Sequence, residues 1–188
     1  MKSHLKAGIL IFILAVSSVS TWIWYKNSRP NPQLQEINLL DSMEKVGVPN
    51  FKLEHLDGTE FELNSVKGKV LIINFWASWC DPCVREFPSM LKLVEHFKGE
   101  IKLIAVSSDF SKKDIEVFVK AFEGNKDNVE LLWDKDAKVS KSYGTTKLPE
   151  SYLVGRDLKL IRKIIGIEEW YNKSAKEYMQ TLVDQKVE

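Results

Sequence analysis

Cys80 and Cys83 are the only thiols in this 188-residue chain. They form a Cys-x-x-Cys pair inside Phe75-Trp76-Ala77-Ser78-Trp79-Cys80-Asp81-Pro82-Cys83. Two thiols at this spacing can close and reopen a disulfide. Exchange with a partner needs an exposed thiolate, a second thiol and a surface that holds the partner chain. An apolar run, Val70 to Phe75, leads into the pair, and a helical pattern follows it. Such a strand-to-helix junction puts Cys80 beside a first helical turn, where unpaired N–H groups and the positive dipole end favour a thiolate. Asp81 adds a negative charge that opposes this. Cys80 is the candidate nucleophile and Cys83, one turn inward, the resolving thiol; Pro82 restricts the backbone between them.

Other chemistries are poorly supplied. The histidines, His4, His55 and His96, form no ligand pair by spacing. Two cysteines alone cannot close a four-ligand structural zinc site, so no metal is expected. A formal net charge of +1 gives no electrostatic reason to expect nucleic-acid binding. The composition, 44% hydrophobic and 28% charged, is that of one globular domain with an N-terminal appendage.

That appendage is apolar. Lys2, His4 and Lys6 precede an uncharged stretch from Ala7 to Tyr25. As a helix it spans roughly 28 Å, close to one bilayer core. Trp22, Trp24 and Tyr25 crowd its far end, as interfacial aromatics do. Residues 1–26 are read as a membrane anchor with the N-terminus inside. The competing reading is a cleaved signal peptide, suggested by the small residues Ser18 and Ser20. Either reading puts the remainder outside the cytoplasm. Residues 27–45, with Pro30 and Pro32, read as a polar tether. Leu34, Ile37, Leu39 and Leu40 could instead make a short helix packed on the domain.

The domain is read as residues 46–188. Phe51 to Leu56 and Thr59 to Leu63 alternate apolar with polar residues across Asp57-Gly58, a hairpin signal. His55 on this hairpin is read as a surface residue. Val66 to Lys69 is a turn, and Val70 to Phe75 a strand buried on both faces, with Asn74 its polar exception. Pro82 to Phe97 is helical, with Phe87, Met90, Leu91, Val94 and Phe97 at spacings of three and four; Pro88 should kink it and Gly99 end it. His96 near its end is read as exposed. Ile101 to Ser107 is the next buried strand. Ser111-Lys112-Lys113-Asp114 resembles a capping box that opens a helix to about Glu123. A loop from Gly124 to Asn128, a strand from Val129 to Trp133 and a short helix from Asp136 to Tyr143 follow. Strands Ser151 to Val154 and Leu158 to Ile165, then a helix from Glu168 to about Val183, complete the chain. The order implies a mixed sheet with helices on both faces.

With Cys-x-x-Cys after the first buried strand, that order resembles the thioredoxin fold: α/β, with a mixed central sheet flanked by helices and an N-terminal β-hairpin extension. Trp79-Cys80-Asp81-Pro82-Cys83 is similar to the thioredoxin-family active site, and Pro88 to its helix-kinking proline. Val48-Pro49-Asn50-Phe51 with Asp57-Gly58, Val66 to Val70 and Cys83 to Pro88 resemble the TlpA/ResA/CcmG branch. Leu148-Pro149-Glu150-Ser151-Tyr152-Leu153 resembles the cis-proline strand of its CcmG/DsbE members. The similarity runs from about Val46 to Val183.

The resemblance implies a membrane-tethered extracytoplasmic thiol–disulfide oxidoreductase. Ordinary thioredoxins carry a buried acid where this chain has Asn74, which cannot ionise. In ResA-like proteins a glutamate three residues after the second cysteine does comparable work, and Glu86 occupies that place, on the helix face of Cys83. Pro149 is expected to be cis, beside exposed backbone that can receive a substrate strand. Leu148, Pro149, Pro82 and Trp79 would form the substrate site, with Trp76 in the core and Glu150 either tuning that site or exposed. No cofactor is expected beyond the Cys80–Cys83 pair. The implied function is a monomeric reductant, active in the cytoplasmic membrane with its domain on the periplasmic side. Its substrate would be apocytochrome c or a maturation factor, its electron donor a membrane protein of the DsbD/CcdA kind. The rivals are a DsbA-like oxidant and a tethered binding module without catalysis; a peroxiredoxin fits the paired cysteines less well.

Overall fold

A computed structural model describes residues 2–28, 31–122 and 127–185. Arg29, Pro30, the helix end at Glu123 and the loop from Gly124 to residue 126 lie outside the described residues. The chain divides into two compact units, Met1–Asn38 and Leu39–Glu188.

In the first unit, helix α1 (Lys2–Ser28) is continuous. Its segment Lys6–Lys26 has a mean hydropathy of 2.0 and is long and apolar enough to cross a membrane; a signal sequence has the same properties. The hydroxyls of Ser17, Ser18, Ser20 and Thr21 donate to carbonyls three or four residues earlier at 2.7–2.9 Å. These hydroxyls thereby find acceptors within the helix itself.

The proposed tether is helical over most of its length. Helix α2 (Pro32–Lys45) starts with proline at its first position, where a missing N–H removes no helical bond. Met43 is buried, and Leu39 and Leu40 pack on the domain, whereas Leu34 and Ile37 are exposed. The globular unit therefore begins within this helix, at Leu39, upstream of Val46.

Seven strands form one sheet in the order β2-β1-β5-β4-β3-β6-β7. The hairpin β1 (Lys52–His55) and β2 (Glu60–Glu62) turns through Gly58, at φ +89°. It adds to the sheet by antiparallel pairing of β1 with β5 (Val129–Trp133). Strands β3 (Val70–Trp76), β4 (Ile101–Ser107) and β5 run parallel, and β3 is buried throughout. The antiparallel strands β6 (Glu150–Val154) and β7 (Leu160–Ile165) complete the other edge.

Helix α3 (Asp81–His96) follows β3 and carries Pro88 in its interior. It buries Phe87, Met90, Leu91, Leu93 and Val94. These pack with Ile72, Trp76 and Leu153 on one face of the sheet. The other face buries Leu71, Ile73, Phe75 and Tyr152 with Tyr143 and Met43. Strand alternation divides β3 and β6 between these two cores.

Helix α4 (Lys112–Phe122) opens as expected: the Asp114 N–H donates to Ser111 Oγ at 3.3 Å. Helix α5 is shorter than expected, Lys138–Ser142. Buried Asp134 accepts from the N–H groups of Lys138, Val139 and Ser140 at 2.8–3.2 Å, so the cap comes from further upstream. Helix α6 runs only Lys173–Asp184, capped by Asn172 Oδ1 on the Ala175 N–H at 2.8 Å. The stretch from Glu168 to Asn172 is a turn, because Trp170 is drawn into the core of α3. His55 is half-buried, not simply on the surface: Nε2 lies 2.7 Å from Glu130 Oε2 and Nδ1 lies 2.9 Å from Thr59 Oγ1.

Candidate active site

Strand β3 ends at Trp76, and the turn from Ala77 to Cys80 delivers the chain to α3. Cys80 is the N-cap of that helix, and it is joined to Cys83 by a disulfide. The Cys83 N–H points at Cys80 Sγ, 3.4 Å away. Pro82 contributes no N–H, so this donor is the one the first turn aims at the sulfur. Cys80 is 6% exposed and Cys83 1%. Asp81 is exposed and Pro82 half-buried.

One turn on, Glu86 is buried, on the same side of α3 as Cys83. Asn74 Nδ2 donates to its Oε1 at 3.1 Å, and the Glu168 N–H donates to its Oε2 at 3.1 Å. Asn74 Nδ2 also donates to Ser151 Oγ at 2.9 Å, across a direct β3–β6 register pair. Burial pushes the Glu86 carboxyl up to about 7. The Glu168 N–H, the Trp170 indole and the Asn74 amide oppose the rise, and the Glu168 carboxylate adds to it. Trp170 Nε1 makes no hydrogen bond of normal geometry, so its contribution is that of a nearby dipole. The Trp170 backbone N–H donates to Ser89 Oγ at 3.1 Å, and Ser89 Oγ donates to the Glu86 carbonyl at 2.8 Å. No cation pairs with this carboxyl among the described residues; it is held by dipoles alone.

The Leu148–Pro149 bond is cis, as expected. Glu150 pairs in register with Phe75, so Pro149 lies at the Trp76 end of β3, where the cysteine turn begins. The Pro149 carbonyl accepts from the Gly166 N–H at 2.9 Å. Leu148 is half-buried and packs against both cores, including the one that holds the cysteines.

Glu150 is not exposed. It is completely buried, with Lys163 Nζ 3.3 Å from its Oε2. Tyr152 Oη and Thr146 Oγ1 each lie 3.4 Å from its carboxyl oxygens, and Lys163 Nζ also donates to the Gly144 carbonyl at 3.3 Å. Its alternation with Tyr152 sets it on the sheet face away from Glu86.

The sequence matches the AhpC/TSA family over residues 46–163. The thiol-disulfide oxidoreductase ResA of Bacillus subtilis is 34% identical over 119 residues, covering 63% of this chain and 65% of that protein. The ResA of Bacillus thuringiensis is 35% identical over 135 residues, 71% of this chain and 75% of its own length. The chain belongs to the AhpC/TSA family, among its ResA-like thiol–disulfide oxidoreductases. Among solved structures, the thioredoxin domain of a thiol-disulfide oxidoreductase from Bacteroides vulgatus superposes with a TM-score of 0.62 at 26% identity. That match covers 73% of this chain and 96% of the other. The mixed seven-stranded sheet is thus the expected thioredoxin-like one.

Within this ResA-like frame the structure gathers Cys80, Cys83, Pro82 and Trp79 at the start of α3. Glu86 lies one turn further along, and Leu148 and Pro149 stand at the adjoining end of β6. Trp76 is in the core, and Trp79 is 59% exposed. Two participants escaped the sequence reading. Buried Asp109 accepts from the Ser78 N–H at 3.0 and 3.1 Å and from Ser78 Oγ at 2.7 Å, tying the cysteine turn to the end of β4. The available signal was a polar run, Ser107-Ser108-Asp109, after an apolar strand. Glu168 acts through its backbone, which no side-chain pattern announces.

Proposed function

We infer that this ResA-like oxidoreductase works as a reductant of protein disulfides outside the cytoplasm, held at the membrane by α1. Reduced Cys80 attacks one sulfur of the partner's disulfide; the second partner sulfur leaves as a thiol after taking a proton. A mixed disulfide joins Cys80 to the partner. Cys83 then loses its proton to Glu86 and attacks Cys80 Sγ, and the partner sulfur bonded there takes a proton and leaves as the partner's other thiol. The partner has gained two electrons, and the Cys80–Cys83 disulfide remains. A dithiol donor must reduce it again, since most thiols outside the cytoplasm tend towards oxidation.

The observation that carries this reading is the pairing of unlike surroundings one helical turn apart. Cys80 caps a helix with an N–H aimed at its sulfur. Cys83 is buried on the side of a carboxyl whose pKa of about 7 suits proton transfer near neutrality. Asp109 holds the turn between them and β3 as a positioning residue. The relatives named ResA support the reaction class. The family resemblance favours an apocytochrome c or maturation factor as substrate and a DsbD/CcdA-type donor. The exposed apolar α1 supports the anchor.

A Cys83→Ser trap tests this directly. In cells it should leave Cys80 covalently joined to its partner, identified by mass spectrometry of the non-reduced complex. Failure to accumulate any mixed disulfide, or a reduction potential in the range of strong oxidants, contradicts the reading.

A further inference from the structure

Beside Cys80 stand two large aromatic side chains that the exchange chemistry itself does not use. Trp79 is 59% exposed and Phe110 is 85% exposed. Their rings stack, with centroids 6.4 Å apart and planes 22° from parallel. Scattered exposed aromatics are ordinary; a stacked pair that includes the residue directly before Cys80 marks an interaction surface. Nor is the pair loosely placed. Asp109, directly before Phe110, clamps Ser78, directly before Trp79, through three hydrogen bonds. Asp109 is itself fixed by Ser107 Oγ at 2.7 Å and by Trp133 Nε1, which donates to its carbonyl at 2.8 Å. The Ser108 N–H donates to the Trp76 carbonyl at 2.9 Å. Two loops, from β3 and β4, are thereby locked together with an aromatic side chain on each.

We propose that Trp79 and Phe110 form a docking ledge for an aromatic or large apolar side chain flanking the partner's cysteine, and that Phe110 sets this preference. The proposal rests on the reading of the chain as a protein-disulfide reductant. Its occupant follows from the chemistry. The partner sulfur must come within bonding distance of Cys80 Sγ, so the residues next to it in the partner chain pass over the neighbouring surface. An extended chain advances about 3.3 Å per residue. Two rings 6.4 Å apart span about two residues of such a chain, and Trp79 adjoins Cys80 in sequence, so the ledge would be met by residues one to three positions from the reacting cysteine. Neither ring carries a charge, and the two stacked faces are apolar surface, so the matching side chain is apolar or aromatic.

The test uses the pre-reduced full-length protein in lipid nanodiscs and symmetric peptide disulfides. The peptides differ only in having Phe or Ser two positions to either side of the cysteine. Second-order rate constants for a single turnover should favour the Phe peptide by roughly two- to ten-fold on one side of the cysteine. In Phe110→Ser the ratio should fall to about one, and Phe110→Tyr should restore it. The ratio is internal to each variant, so a general loss of activity cannot mimic the result. A wild-type ratio near one, or a ratio that survives Phe110→Ser, overturns the ledge while leaving the reductant reading intact. Wild-type protein that reduces neither peptide overturns both.

Discussion

The two sheet faces each bury a glutamate next to the redox site, and they treat it differently. On the α3 face, Glu86 meets an amide, a backbone N–H and an indole dipole, and its pKa is pushed up to about 7. On the opposite face, Glu150 is completely buried against the Lys163 ammonium. Dipoles alone leave the two protonation states of Glu86 close in energy near neutral pH, whereas the Glu150–Lys163 contact is an ion pair that joins β6 to β7. The α3 face is therefore equipped to accept a proton. The other face is equipped to hold the strand that begins at cis-Pro149. Glu150 adjoins that proline in the chain, so the cis peptide and the buried ion pair stand at neighbouring residues.

The largest way to break this contrast is to remove the cation. Lys163→Met leaves Glu150 buried without its counter-charge and should destabilise the protein by about 3–5 kcal/mol. Adding Glu150→Gln should recover most of that loss, because a matched neutral pair leaves no stranded charge. Urea midpoints of the three proteins read this out; a single variant as stable as wild type would show that the pair contributes nothing.

A somewhat smaller effect is expected on the Glu86 face, and its sign differs. The folded pKa of about 7 lies above the ordinary 4.5, so the folded state binds more protons than the unfolded one between these values. The contribution of Glu86 to stability is fully present below about pH 4.5 and is lost as pH rises through 7. The loss is on the order of 3 kcal/mol. In Glu86→Gln this slope should vanish. Denaturation of the oxidised protein at a series of pH values from 4.5 to 8 checks it, and an unaltered slope would assign the titration to another group.

Much of this arrangement is written locally. Cys80, Pro82 and Cys83 announce a helix start, Asp57-Gly58 a hairpin, and the spacing from Cys83 to Glu86 a shared helix face. What stayed hidden depends on residues far apart in the chain. Glu150 looks like an ordinary exposed strand residue until Lys163, on the next strand, is brought beneath it. Glu168 to Asn172 continues the helical pattern of α6, yet Trp170 finds a better site against α3 and pulls the stretch into a turn. The prolines around residue 30 suggest a tether, but Pro32 is harmless at a helix start, and Met43 gains a buried site. Asp109 and Phe110 sit on a loop whose importance arises only because β4 lies beside β3.

The central claim is that Glu86 takes the proton from the buried thiol. It is tested most directly by the pH dependence of thiol alkylation in the reduced protein, wild type against Glu86→Gln, with the alkylated cysteine identified by peptide mapping. The account predicts that the wild-type profile is shaped by a titration near pH 7 and that this step disappears in the variant, with slower disulfide exchange. A profile unchanged by the substitution would contradict it.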